Sequence, residues 1–124
     1  MNEQTIKLEE RLIRFSLLIV EITETLPKSK LGNYIKDQLT RSGLSPAFNY
    51  GEAQFAESKL DFIHKKKICL KELKESQIAL KFVLYKPLLQ DLTQTNEAAI
   101  ECDELISIFV ASIKTTRENM NKEK

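Results

Sequence analysis

The sequence predicts an all-α protein, an antiparallel up-down-up-down four-helix bundle. Apolar residues recur at alternating three- and four-residue steps, and glycine and proline number only three each among 124 residues. The breaks between the periodic segments are short. Because an α-helix turns once in about 3.6 residues, this spacing aligns the apolar side chains on one side of each helix. Short links between helices give antiparallel neighbours. We expect one domain over residues 1–119 and a frayed tail over 120–124.

The first helix is predicted over residues 5–26. Its inward-facing positions are Leu8, Leu12, Phe15, Ile19, Ile22 and Leu26. A second row of Ile6, Ile13 and Val20 lies beside it and predicts a broad buried face. Pro27 ends the helix, because a residue that precedes proline is disfavoured in the helical conformation.

The second helix, predicted over residues 30–56 with Ser29 as its N-cap, has a polar row where the others are apolar. The register passes Pro46 without an inserted residue, which favours a kinked but continuous helix. The alternative is two short helices, with Ser45 as the cap of the second and Pro46 as its first residue. The positions expected to face inward include Gln38, Ser42, Ser45, Asn49 and Glu52, with Arg41 beside them and Glu72 and Glu75 of the third helix as partners. Two roles are open: a hydrogen-bond network that sets helix register, or a subunit interface around a central channel.

The third helix is predicted over residues 58–85 and the fourth over 93–119. Ser58 and Asp61 resemble a capping box, and Thr93 or Thr95 is the expected cap of the fourth helix. The inward row of the third helix contains Lys66 among apolar and small residues. The inward row of the fourth helix ends in Ser112 and Thr116.

The net charge is only +1, but the charges are unevenly distributed. The third helix is rich in lysine, whereas residues 87–113 contain acids and no base. This asymmetry indicates either attraction between neighbouring helices or a basic face for phosphate backbones. The candidate nucleic-acid contacts are Lys65, Lys66, Lys67, Lys71 and Lys74.

The sequence argues against an enzyme. A di-metal bundle needs two Glu-x-x-His motifs, but the chain has one histidine, His64, which with Asp61 forms a single degraded half-motif. Ser42 and Ser45 do not lie in a nucleophile elbow, and the glycines form no phosphate loop. We therefore expect no catalytic residue, metal, cofactor or small-molecule substrate.

The expected location is the cytoplasm. The N-terminus lacks the pattern of a secretion signal, and the longest apolar run is interrupted by charges well before it could span a membrane. Cys69 and Cys102 fall on inward rows and are expected to be free thiols.

The middle of the chain resembles the small bacterial four-helix bundle proteins called 23S rRNA-intervening-sequence, or S23, proteins. The resemblance covers about residues 26–84 and rests on LPK at 26–28, QLTRSGLSPAFNYGEA at 38–53, DFIHK at 61–65 and LKELKE at 70–75. It implies a helical bundle without a known active site. It also implies similarity to the accessory protein of diversity-generating retroelements, a pentameric barrel that binds nucleic acid and a reverse transcriptase. That relative is strongly basic, whereas this chain is nearly neutral and has Lys66 where the family often has an apolar residue.

The predicted function is a non-enzymatic assembly or adaptor protein that forms a homo-oligomer and contacts RNA or DNA. A pentamer is implied by the resemblance. The alternative is a protein–protein interaction module with no nucleic-acid partner, and a metal-dependent enzyme is a third, weaker hypothesis.

Overall fold

The computed structural model describes residues 2–123 and confirms the predicted fold class. Its four helices are α1 (Glu3–Glu24), α2 (Lys30–Ala53), α3 (Lys59–Tyr85) and α4 (Thr93–Lys122). These described residues form no β-strand. Consecutive helices pack side by side, and the contact between α1 and α4 that closes the bundle is the sparsest.

Side-chain caps begin the first three helices. Asn2 Oδ1 accepts a hydrogen bond from Thr5 N at 2.8 Å, so α1 begins two residues before the predicted start. Ser29 and Ser58, both predicted caps, accept from the backbone N–H groups of Gly32 and Asp61 at 3.0 Å and 3.1 Å. Each cap satisfies an N–H group that has no partner inside its helix.

The cap predicted for α4 is wrong. Leu92 occupies the N-cap position and makes no side-chain cap hydrogen bond. Asp91 Oδ1 instead accepts from Thr93 N at 2.9 Å, and the hydrogen bonds from Thr93 lower the pKa of the Asp91 carboxyl. Thr95 is fully buried, and its hydroxyl has no hydrogen-bond partner among the described residues. At the other end, α4 continues to Lys122, so residues 120–122 are helical rather than a frayed tail.

α2 is continuous through Pro46, as its register predicted, although it ends at Ala53 rather than at 56. Proline has no N–H to donate to the carbonyl of Ser42, one turn earlier. The Pro46 side chain is fully buried, and its carbonyl accepts from the Cys69 thiol of α3 at 3.4 Å. Packing therefore offsets part of the lost helical hydrogen bond.

The inward rows predicted for α1, α3 and α4 form most of the hydrophobic core. Tyr50 of α2 and Phe109 of α4 meet edge to face, with ring centroids 5.7 Å apart. The predicted broad face of α1 is wrong for Ile6 and Ile13, which are exposed, and Ile13 lies on the surface that α1 shares with α2.

None of the helices within residues 2–123 combines the length and the apolar character that crossing a membrane requires.

Candidate functional site

The buried row of α2 differs from the predicted polar row. The buried positions of this helix are Gly32, Ile35, Leu39, Ser42, Gly43, Pro46, Tyr50 and Ala53. Gln38 and Glu52, which were expected to face inward, are exposed. One residue corresponds to about 100° of rotation, so the buried face is turned from the polar positions 38, 49 and 52 to the neighbouring apolar residues Leu39, Tyr50 and Ala53.

Three of the predicted polar residues form a charged cluster between α2 and α3. Arg41 Nη1 donates to Glu72 Oε2 at 2.8 Å, and Arg41 Nη2 donates to Glu75 Oε2 at 2.7 Å. Gln38 Oε1 also accepts from Arg41, at 3.2 Å. Burial raises the pKa of the Glu72 carboxyl, whereas the hydrogen bond from Arg41 lowers that of Glu75. This arrangement joins two helices and does not resemble an acid–base pair that faces a substrate.

The remaining polar residues of α2 form smaller contacts. Ser42 is buried and accepts from the Ser76 hydroxyl of α3 at 2.8 Å. Asn49 Nδ2 donates to Ser45 Oγ at 2.9 Å and to Ser45 O at 3.0 Å, so this half-buried pair hydrogen-bonds within its own helix. The Ser42–Ser76 contact and the Arg41 cluster therefore join α2 to α3, whereas the Asn49–Ser45 pair does not.

The five candidate lysines of α3 do not share one surface. Lys66 is only 7% exposed and lies inside the bundle, so its assignment as a nucleic-acid contact is wrong. Lys65 Nζ lies 3.1 Å from Glu52 Oε2 in an ion pair. Lys67, Lys71 and Lys74 are exposed on the outer face of the helix. Helical geometry separates neighbours in the run 65–67 by about 100°, which sends them in three directions.

Two further cations, Lys114 and Arg117, join the exposed lysines across the α3–α4 groove. Leu70 lines one depression with Lys67, Lys71 and Lys74, and a second with Lys114 and Arg117. We call these five cations the basic face. Among the described residues, its members form one ion pair, between Lys71 Nζ and Glu75 Oε1 at 4.0 Å. Lys114 and Arg117 were not among the cations predicted from the sequence, although their three-residue spacing places them on one side of α4.

The cysteines are unsuited to catalysis. The thiols of Cys69 and Cys102 are buried and donate to the carbonyls of Pro46 and Leu73. Burial raises the pKa of both thiols to about 12, so the reactive thiolate is scarce at neutral pH. Within residues 2–123, there is no group of three metal-ligating side chains that could hold an ion.

Comparison with known proteins agrees with the helical architecture. The family of 23S rRNA-intervening sequence proteins matches residues 4–111. The fold is similar to the crystal structure, at 1.70 Å resolution, of a protein of unknown function from the S23 ribosomal protein family of Bacteroides thetaiotaomicron VPI-5482. The TM-score is 0.79 and the identity 25%, over 89% of this chain and 97% of that chain. No functionally curated protein matches the sequence. Because the family match extends over most of the four-helix bundle, the chain belongs to the 23S rRNA-intervening sequence protein family.

Proposed function

We propose that this protein is a non-enzymatic adaptor that self-associates and binds the phosphate backbone of RNA or DNA through the basic face. The observation that carries the proposal is the grouping of Lys67, Lys71, Lys74, Lys114 and Arg117 on one side of the bundle. Lys67 and Lys74 are separated by seven residues, which corresponds to about 10 Å along the helix axis. The cations therefore extend along the bundle over two adjacent depressions and can contact several phosphates of a backbone.

The chemistry of this face favours phosphate over base recognition. Long lysine side chains are mobile point charges, which suit sequence-independent contact with phosphates. The acids that line the same depressions are Glu75 and Glu118, and Arg41 already engages Glu75. The basic face thus keeps a positive balance although the whole chain is nearly neutral.

Self-association is supported by two separate apolar surfaces. One lies between α1 and α2 and includes Ile13, Leu17 and Phe48, of which Phe48 is 71% exposed. The other is on α3, where Phe82 and Tyr85 are exposed at helical spacing beyond the basic face. Two different surfaces suit head-to-tail contact between copies, which closes into a ring when the rotation allows it. The resemblance to a pentameric protein makes five the expected number of subunits, and each copy would add one basic face to the ring.

Fluorescence anisotropy with labelled single-stranded RNA and duplex DNA tests the proposal. Five phosphate contacts predict a slope of about −4.5 for the logarithm of the duplex association constant against the logarithm of salt concentration. Affinity should therefore fall about 500-fold between 50 and 200 mM salt. Failure to bind either nucleic acid at 50 mM salt would contradict the proposal and favour the alternative, a protein–protein interaction module.

A further inference from the structure

A cleft opens at the end of the bundle that contains the first turns of α1 and the last turn of α2. Its volume is about 470 Å³, and its lining combines Leu8, Tyr50, Phe62 and Ile108 with Lys66 and Ser112. The cleft lies on the side where α1 and α4 meet, which is the most loosely packed of the four helix pairs. The cleft is separate from the basic face.

Lys66 is the unusual residue of this cleft. Its Nζ donates to Ser112 Oγ at 2.6 Å and to Thr116 Oγ1 at 3.4 Å, and it lies 4.1 Å from the centre of the Phe62 ring. All three partners are neutral. Among the described residues no carboxylate forms an ion pair with Lys66, although the side chain is 7% exposed.

The other cations that line the cleft have acidic partners. Arg11 donates to both carboxylate oxygens of Glu101, at 2.8 and 2.7 Å, and to Glu104 at 2.8 Å. Lys7 pairs with Glu3 at 3.1 Å on the surface. Lys66 is therefore the cation in this cleft whose charge an incoming anion could neutralise.

A buried charge without a counterion destabilises the folded protein. Methionine has a similar shape and no charge, so packing alone does not require a lysine at position 66. A ligand that supplies the missing negative charge would gain a charge-assisted hydrogen bond in a partly desolvated site. The walls formed by Leu8, Phe62 and Ile108 suit an apolar or aromatic body next to that charge.

We propose that this cleft binds a small organic carboxylate, with its carboxylate against the Lys66 ammonium and its apolar body between Leu8, Phe62 and Ile108. This proposal goes beyond the proposed function and does not depend on nucleic-acid binding. The cleft volume accommodates a single-ring compound, so benzoate is a suitable probe.

Thermal unfolding and isothermal titration calorimetry with benzoate test the proposal. Benzoate should raise the melting temperature of the wild type and of Lys74→Met, a control on the exposed surface of the same helix. Lys66→Met should keep its fold and bind benzoate at least 10-fold more weakly. The neutral isostere benzamide should bind weakly to all three proteins.

A second variant tests the proposal by supplying Lys66 with a counterion from the protein itself. Ser112→Asp directs a carboxylate towards Lys66, because its side chain begins one bond before the Ser112 Oγ atom that now lies 2.6 Å from Lys66 Nζ. It should raise the melting temperature and abolish the benzoate response. Absence of benzoate binding to the wild type would overturn the proposal. Unchanged benzoate binding by Lys66→Met or Ser112→Asp, or equal binding of benzamide by the wild type, would do the same.

Discussion

The hydroxyl of Ser16 on α1 lies 2.9 Å from the carbonyl oxygen of Gly43 on α2, within hydrogen-bond distance. Both residues are buried, and Ser16 Oγ also lies 3.0 Å from the carbonyl oxygen of Leu12. The absence of a side chain at Gly43 allows this approach, because a Cβ there would lie 2.7 Å from Ile19 Cγ2. Gly43 therefore sets how closely α1 and α2 pack.

Replacement of Gly43 by alanine should destabilise the bundle by about 1–3 kcal/mol, since the methyl group overpacks the contact with Ile19. Urea denaturation followed by circular dichroism measures the free energy of unfolding. Gly51→Ala is the matched control, because a Cβ at Gly51 meets nothing within 4 Å. That control should be stabilised by up to about 1 kcal/mol through helix propensity. Equal effects of the two substitutions would contradict the close-packing argument.

Arg41→Met should destabilise the protein by about 1–2 kcal/mol, because it leaves the Glu72 carboxylate, whose side chain is 10% exposed, without its charged partner. Arg14→Met is the control, since Arg14 pairs with Glu10 at 3.4 Å between two exposed side chains. It should change the free energy of unfolding by less than about 0.5 kcal/mol.

A double-mutant cycle with Arg41→Met and Glu72→Gln isolates the contact between these two residues. In the double variant the neutral amide no longer requires the guanidinium, so the loss should be smaller than the sum of the single losses. Additive losses would show that Arg41 stabilises the bundle by another route, such as packing.

Single substitutions on the basic face should reduce the salt dependence of nucleic-acid binding. Lys71→Gln and Lys114→Gln should each lower the magnitude of the salt slope for duplex DNA by about 0.9, because each removes one phosphate contact. Anisotropy titrations between 50 and 200 mM salt measure the slope. Lys30→Gln, at an exposed position at the start of α2, is the control and should leave the slope unchanged. An equal fall in all three variants would indicate general electrostatic attraction without a defined face.

Self-association should depend on the apolar surface between α1 and α2. Phe48→Asp should convert the oligomer into a monomer at micromolar concentration, because it places a charge in the proposed interface. Size exclusion with light scattering measures the mass. Ile100→Glu is the control, because Ile100 is exposed on α4, outside both proposed apolar surfaces. A wild type that is already monomeric would contradict the proposed assembly.

Lys66 should make stability depend on pH at the alkaline end. Burial lowers the pKa of its ammonium, so in this range the folded state binds fewer protons than the unfolded state. The stability deficit of the wild type relative to Lys66→Met should be largest below the folded pKa. It should shrink as pH rises from that value towards about 10.4, the ordinary pKa of lysine. Denaturation of both proteins between pH 7 and 10.4 measures the difference.

The other titratable groups at this end of the bundle should change the difference in stability between the two proteins little over this pH range. Burial raises the pKa of Tyr50 on α2 and of Cys69 on α3, which keeps both protonated through most of the range. Arg11 on α1 stays charged beside its glutamates, and Lys7 is exposed and present in both proteins. A deficit that does not change with pH would contradict the burial of a charged Lys66.

Much of the helical architecture was predictable from local chemistry. Ser29 and Ser58 each precede a periodic segment and cap the helix that follows. Such a cap can be predicted from the sequence because the N–H group that it binds lies only a few residues further along the chain. The continuity of α2 through Pro46 was visible in the unbroken register. The partnership of Arg41 with Glu72 and Glu75 was also predictable, because it follows from charge and the antiparallel order of neighbours.

The sequence by itself determined the number of helices, their order and the apolar rows of α1, α3 and α4, since these depend on spacing within single segments. Only the tertiary structure decided which side of α2 is buried, that Lys66 lies inside, and that Lys114 and Arg117 of α4 join the lysines of α3. Each of these outcomes depends on how far one helix is rotated against its neighbour. A rotation of one residue, about 100°, exchanges a core position for a surface one, and only the competition between whole packed faces selects it.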